Sequence, residues 1–253
     1  MLRILAAFMM FTRLPFWRVV NVPAEYFKQV VPLWPLTGWL TAGCSVIVLY
    51  AVSLFLPLHT ALLLAIITRL LLTGCLHEDG LADFFDGFGG GTSRERILAI
   101  MKDSHIGTYG VTGLIAYFAM NYSLLSHLPP EILGSVMLAA DPFSKGVASM
   151  TINRLPYVRK EEDSKNKLIY NRMTASDYIL AALFAVLPLL WLPRPEYLAA
   201  VILPLMVWFF LTSWINKKIQ GYTGDCCGAL FLLCETCFYL GIALVACHLY
   251  PLR

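Results

Sequence analysis

His77-Glu78-Asp79-Gly80-Leu81-Ala82-Asp83-Phe84-Phe85-Asp86-Gly87 is an acidic island between two strongly apolar stretches. If it is helical, Asp79, Asp83 and Asp86 fall at i, i+4 and i+7, so three carboxylates share one stripe. Like charges at that spacing weaken a helix unless something positive neutralises them. Hard oxygen ligands of this kind, beside a phosphate, suit Mg²⁺. Gly87, Gly89, Gly90 and Gly91 are expected to end this helix. Thr92-x-x-Glu95 then has the form of a capping box opening a second helix, from about Ser93 to Asp103. The predicted unit, residues 77–108, is an acidic helical hairpin with Arg96, Lys102 and Asp103 on its second arm.

Outward from the island the chain is apolar. The 253 residues are 58% hydrophobic and 14% charged, against roughly 45–50% and about 25% for ordinary soluble domains. Mean hydropathy is +0.69. This composition predicts an all-α, polytopic membrane helical bundle lying in a lipid bilayer. The net charge of +3 and the lack of a basic run argue against nucleic acid. Of the seven cysteines, Cys234-x-x-Cys237 lies in an apolar segment without a second ligand pair, so it reads as buried small side chains.

Seven spans are expected, at about 36–55, 61–76, 109–126, 132–151, 178–192, 197–215 and 229–250. Residues 1–32 precede them as a retained interfacial segment. Polar loops are expected at 152–177 and 216–228, and residues 1–253 form one membrane domain. Arg69 lies inside the second span, and such charges face protein or water. Asp141 and Lys145, four apart in the fourth span, either pair with each other or turn Lys145 toward a phosphate. With seven spans, 15 of the 19 Lys and Arg collect on one side. By the positive-inside rule that side, which holds the acidic motif and Asp225, is cytoplasmic.

Carboxylates to hold Mg²⁺ and cations to hold phosphate oxygens are the requirements of metal-assisted phosphoryl transfer. Gly80 and Gly87 beside the acids leave room for a bulky anionic ligand. Acids near the bilayer would also suit an ion transporter. Their clustering on one side favours the transferase.

One family carries these motifs in this order. His77-x-Asp79-Gly80-Leu81-Ala82-Asp83-x-x-Asp86-Gly87, then Arg96, then Ile100-Met101-Lys102-Asp103-Ser104-x-Ile106-Gly107-x-x-Gly110, resembles the cobalamin synthases (adenosylcobinamide-GDP ribazoletransferases). Weaker matches are Phe11-Thr12-Arg13-Leu14-Pro15, Pro35-Leu36-x-Gly38 and Thr223-Gly224-Asp225-x-x-Gly228-Ala229. The resemblance implies an Mg²⁺-dependent enzyme of the bacterial cytoplasmic (inner) membrane. It would join adenosylcobinamide-GDP to α-ribazole or its 5′-phosphate, releasing GMP. Carried over to this chain, Asp79, Asp83, Asp86 and Asp103 are the expected metal ligands, with Asp225 a further candidate. Asp83 or Asp86 would take a proton from the attacking ribazole 5′-hydroxyl, and Arg96 or Lys102 would neutralise the departing GMP. His77, Gly80, Gly87, Lys145, Thr223 and Asp225 are the expected substrate contacts. The layout also looks like that of the CDP-alcohol phosphotransferases, with a lipid acceptor as the alternative. Gly107-x-x-Gly110-x-x-Gly113 permits close helix contact, including a homo-oligomer.

Overall fold

A computed structural model describes residues 1–159 and 169–249. Part of the predicted 152–177 loop, from Lys160 to Leu168, lies outside the described residues, as does Arg253. Everything described is helical or irregular, apart from one isolated parallel bridge between Tyr157 and Tyr222.

Among the described residues twelve α-helices follow in order. α1 (Leu2–Phe11) and the short α2 (Ala24–Phe27) make up the amino-terminal segment. α3 (Trp34–Ser53), α4 (Leu58–Thr73), α5 (Leu76–Gly90) and α6 (Arg94–Ile100) carry the chain through the acidic motif. α7 (Thr108–Ser126) and α8 (Pro130–Ser149) follow, then the short α9 (Thr151–Arg154), α10 (Ala175–Val186), α11 (Ile202–Ile219) and α12 (Gly224–Leu249). α12 is the central post, packed against α5, α7, α8 and α11, while α3 lies between α4 and α8.

A helix therefore stands at each of the seven predicted places, but length and apolarity single out fewer. Among the described residues, Val31–Ser53, Pro195–Ile219 and Gly224–His248 are long and apolar enough to cross a membrane. The bent pair Leu58–Thr73 and Leu76–Gly90 makes a fourth if it counts as one broken span. Polar positions dilute the rest: α7 carries Asn121, Tyr122 and Ser123, and α8 carries Glu131, Asp141 and Lys145. The expectation of seven is thus corrected to three or four helices that qualify on these grounds. Large apolar side chains such as Leu71, Ile115, Leu183 and Phe210 are exposed on the outside of the bundle. Helices that are apolar all round in this way belong to a lipid-facing protein.

α4 and α5 meet at 90°. Gly74 (φ +65°) and Cys75 (φ +59°) are both left-handed there, a conformation glycine adopts without a steric penalty. A Cβ on Gly74 would also collide with Arg13, whose backbone N–H donates to the Leu72 carbonyl at 2.7 Å. The acidic helix therefore turns sharply away from α4. It ends within the expected glycine run, at Gly90 with Gly91 as its cap, and the cap of α6 is Ser93 rather than Thr92, its side chain accepting the Arg96 N–H. Gly87 does not end α5 because it is a packing site: a Cβ there would strike the Met101 side chain.

The core has two parts. One gathers α1, α5, α6 and the start of α12; the other gathers α3, α4, α8 and the far half of α12. Along α12 the change falls between Leu232 and Cys234, and buried Glu235 stands at this crossover.

Candidate functional site

The crossing of α5 and α12 builds the site. A Cβ on Gly80 would stand 3.1 Å from the Asp225 backbone, and one on Gly228 would stand 3.3 Å from the His77 carbonyl. Glycine on both helices lets the two backbones approach closely. Thr223 starts α12, its Oγ1 accepting the Cys226 N–H at 3.3 Å. Asp225 follows in the first turn, where a carboxylate is favoured by the helix dipole.

Asp79 and Asp225 are thereby brought into the wall of one cavity of about 110 Å³. His77 and Lys145 line it too, with aromatic walls from Phe11, Trp34, Tyr157, Tyr170 and Phe231. His77 is held between rings, stacked on Phe11 at 6.1 Å and edge-on to Phe231 at 4.8 Å. Lys145 Nζ contacts Asp141 Oδ1 at 2.6 Å and donates to Thr41 Oγ1 at 3.0 Å. It also lies 4.8 Å from the centre of the Phe231 ring. Lys145 thus pairs with Asp141, and it also borders the cavity.

The acidic stripe is divided among different tasks. Asp86 is buried, and its two oxygens accept the Gly107 N–H at 2.7 Å and the Gly110 N–H at 2.8 Å. It satisfies donors at the start of α7, a role of the N-cap kind. A Cβ on either glycine would strike this carboxylate, which explains the Gly107-x-x-Gly110 spacing. Gly113 likewise receives Phe85, so this glycine face is filled by the chain's own α5. Asp83 is half-buried one turn beyond Asp79 and outside the cavity lining.

Asp103 lies apart on the surface, bound to His105 through Nδ1 at 2.7 Å and the backbone N–H at 3.0 Å. These hydrogen bonds hold its carboxyl below the ordinary range. Arg96 and Lys102 are exposed on the arm of α6 and do not border the cavity. Gly80 and Gly87 serve helix contacts, against Asp225 and Met101 respectively.

Asp79, Asp83, Asp86 and Asp103 do not converge: among the described residues no three His, Cys, Asp or Glu side chains form a metal-binding group. Asp79 and Asp225 are two hard carboxylates lining one cavity. That donor set fits Mg²⁺, which typically takes one or two carboxylates and completes its shell with water and substrate phosphates.

One cation here had no role in the sequence reading. Arg159 lines the cavity and is nearly buried, its Nη1 3.6 Å from Asp225 Oδ2. Its position depends on pairing between distant segments, with the Val158 N–H donating to the Tyr222 carbonyl at 3.1 Å and the Tyr222 N–H to the Pro156 carbonyl at 2.9 Å. No local pattern announces such a pairing. The aromatic walls, drawn from α1, α3, α12 and the segment between α9 and α10, were equally invisible.

Beneath the cavity, Arg69 is held deep in the bundle. Its Nη1 donates to both Glu235 oxygens at 2.6 Å, and its Nη2 donates to the Tyr117 hydroxyl at 2.6 Å. Tyr239 donates to Glu235 at 3.1 Å, and buried Glu78 lies 3.5 Å from Arg69.

An adenosylcobinamide-GDP ribazoletransferase of Leptospira interrogans is 34% identical over 249 residues, covering 95% of this chain and 94% of that protein. Proteins of the same name from Shewanella oneidensis and Pseudoalteromonas atlantica are 36% and 37% identical. They cover 93% and 94% of this chain, and 91% and 89% of their own lengths. No solved structure gives a significant match. The model of the Cobalamin-5-phosphate synthase family matches residues 3–243, and the chain belongs to that family.

Proposed function

We propose that this protein is the adenosylcobinamide-GDP ribazoletransferase of cobalamin biosynthesis, joining the activated corrin to α-ribazole or its phosphate and releasing GMP. The observation that carries the reading is the convergence of Asp79, Asp225 and Lys145 on one cavity at the α5–α12 crossing. Carboxylates and a cation in one concave site are what transfer of a substituted phosphate between two organic groups requires. Relatives at 34–37% identity over most of the chain carry this activity in their names.

In the reaction a ribazole hydroxyl attacks the phosphorus attached to the corrin side chain. A P–O bond forms to the acceptor, the P–O bond to GMP breaks, and the bonding pair leaves with GMP. The family description names a 5-phosphate product. An acceptor that keeps a 5′-phosphate has no free 5′-oxygen, so the nucleophile is a ribose ring hydroxyl. This corrects the expectation of a 5′-hydroxyl.

Asp79 and Asp225 are the residues that would hold Mg²⁺, which when bound supplies positive charge to phosphoryl oxygens. Lys145 adds a fixed cation in the wall. Asp86 is held by two backbone N–H groups and Asp83 lies outside the cavity lining, so the hydroxyl proton is assigned to a carboxylate of the cavity wall, Asp79 or Asp225. The aromatic walls shelter the reacting phosphate from water, whose attack would waste the activated corrin.

The protein is assigned to the bacterial cytoplasmic membrane with the cavity open to the cytoplasm. Arg159 and Asp225 come from the two polar segments that carry much of the positive excess. In this reading α7 and α8 also cross the bilayer, with Asn121, Asp141 and Lys145 turned to the bundle interior, as does α10, which buries Ala181 and Ala185.

The test is GMP release by purified protein in liposomes, given adenosylcobinamide-GDP and α-ribazole 5′-phosphate with and without Mg²⁺. Mg²⁺-dependent release, lost in Asp79→Asn and Asp225→Asn, is expected. Release without added Mg²⁺ in the presence of a chelator would remove the metal, and no release from folded protein would remove the activity.

A further inference from the structure

Arg159 is out of place as a structural cation. Its side chain is 6% exposed, yet its Nη2 is buried without a hydrogen-bond partner among the described residues. Its Nη1 stands 3.6 Å from Asp225 Oδ2, too long for a hydrogen bond. A buried guanidinium left unsatisfied is expensive, because it loses its water and gains little in return. Such a group persists where a ligand completes it.

The surroundings point to the kind of ligand. The Trp34 Nε1–H, in the same cavity, is also buried without a hydrogen-bond partner among the described residues. Lys145 adds a third donor. Indole and guanidinium groups donate and never accept, so the occupant must be rich in acceptors. The paired N–H groups of a planar guanidinium match two oxygens of one phosphoryl group.

The loop bearing Arg159 is also built to hold it still. The bridge from Tyr157 to Tyr222 ties it to the start of α12, and Tyr157 and Tyr222 rings meet at 5.3 Å. Gly221 has φ +152°, and a Cβ there would collide with the Pro156 carbonyl. A fixed fork loses little freedom on binding.

We propose that Arg159 binds a substrate phosphate through its two Nη atoms, with Asp225 keeping the guanidinium in place until the phosphate arrives. This rests on the transferase reading above. Two phosphates fit the chemistry: the diphosphate of the nucleotide-activated corrin, or the 5′-phosphate of the acceptor.

The experiment compares wild type, Arg159→Gln and Arg159→Lys in liposomes, using α-ribazole and α-ribazole 5′-phosphate as alternative acceptors. If Arg159 holds the acceptor phosphate, Arg159→Gln raises KM for the phosphorylated acceptor at least tenfold and leaves that for α-ribazole unchanged. If it holds the diphosphate, KM for adenosylcobinamide-GDP rises with either acceptor, and kcat falls. Arg159→Lys restores part of the loss in either case, since charge remains but the fork is gone. Wild-type KM values for every substrate in Arg159→Gln, or equal loss of kcat with no KM change, would overturn the proposal.

A second measurement does not depend on turnover. Isothermal titration with GMP and with α-ribazole 5′-phosphate reads binding to wild type and to both variants. Weakening of at least one of them tenfold or more in Arg159→Gln is expected. Unchanged binding of both would overturn the proposal even if wild type released no GMP, an outcome that would separately end the transferase reading. Should Arg159→Gln fail to fold, the KM and titration shifts of Arg159→Lys decide the matter.

Discussion

Gly80 of α5 lies against the main chain of Asp225 of α12, so close that a Cβ on Gly80 would stand 3.1 Å from the Asp225 Cα and carbonyl oxygen. Both neighbours are backbone and cannot swing aside. Gly80→Ala is expected to lower turnover several-fold, because it pushes Asp225 from Asp79 without removing either. Gly80→Val would separate the helices, at about 1–3 kcal/mol of stability as overpacking generally does. Turnover and thermal unfolding of the two variants check this; wild-type behaviour in Gly80→Val would remove the glycine contact from the site.

Asp79 and Asp86, two turns apart on one helix, are expected to fail differently. Asp86→Ala strips acceptors from the Gly107 and Gly110 N–H groups, at about 1–3 kcal/mol. Its unfolding temperature should drop, with the Mg²⁺ dependence of any remaining turnover unchanged. Asp79→Asn should keep its unfolding temperature and lose turnover at least 100-fold. Thermal denaturation beside a Mg²⁺ titration separates the two; a shared pattern would mean that the stripe acts as one unit.

The motif was legible because its residues are consecutive, and the helical period alone placed Asp79, Asp83 and Asp86 on one face. What the period could not supply is what lies opposite each residue. Asp86 meets the start of α7 and Asp79 meets α12, so neighbours on one stripe serve different partners. Asp225 was within reach through Thr223-Gly224-Asp225, a weak local match. Arg159 was not, since its place is set by strand-like pairing between Pro156–Val158 and Tyr222. The span count was read from apolar runs alone, whereas polar positions such as Asn121 on α7 and Asp141 and Lys145 on α8 leave fewer helices long and apolar enough to cross.

Asp103 gives a check on the surface arm. Its hydrogen bonds from His105 hold the carboxyl below its ordinary range. A depressed folded value means that any stabilisation is present above the unfolded value, about 3.9, and is lost as pH falls through the folded one. Asp103 therefore stays ionised through neutral pH and contributes no acid limb to activity between about pH 5 and 8. Asp103→Asn is expected to retain wild-type turnover, Mg²⁺ dependence and pH profile. A changed Mg²⁺ titration would return Asp103 to the metal site.

Arg69 and Glu235 provide the strongest stability prediction. The guanidinium donates to both carboxylate oxygens and to Tyr117, which itself donates to Glu235 at 3.2 Å. Removing one partner leaves the other charge buried, which is strongly destabilising at about 3–5 kcal/mol. Arg69→Met alone should therefore unfold at a much lower temperature in detergent, as should Glu235→Gln to a smaller degree, since the amide keeps acceptor and donor capacity. The double variant Arg69→Met/Glu235→Leu removes both charges and should recover much of the loss, because a buried ion pair exchanged for apolar side chains of similar volume is often near neutral. Glu78 is the complication: it lies 3.5 Å from Arg69 and would lose its only charge partner at that distance among the described residues. A triple variant adding Glu78→Gln should recover more than the double. If the double were as unstable as Arg69→Met and the triple no better, the polar layer would owe its stability to the hydroxyls of Tyr117 and Tyr239 rather than to charge pairing.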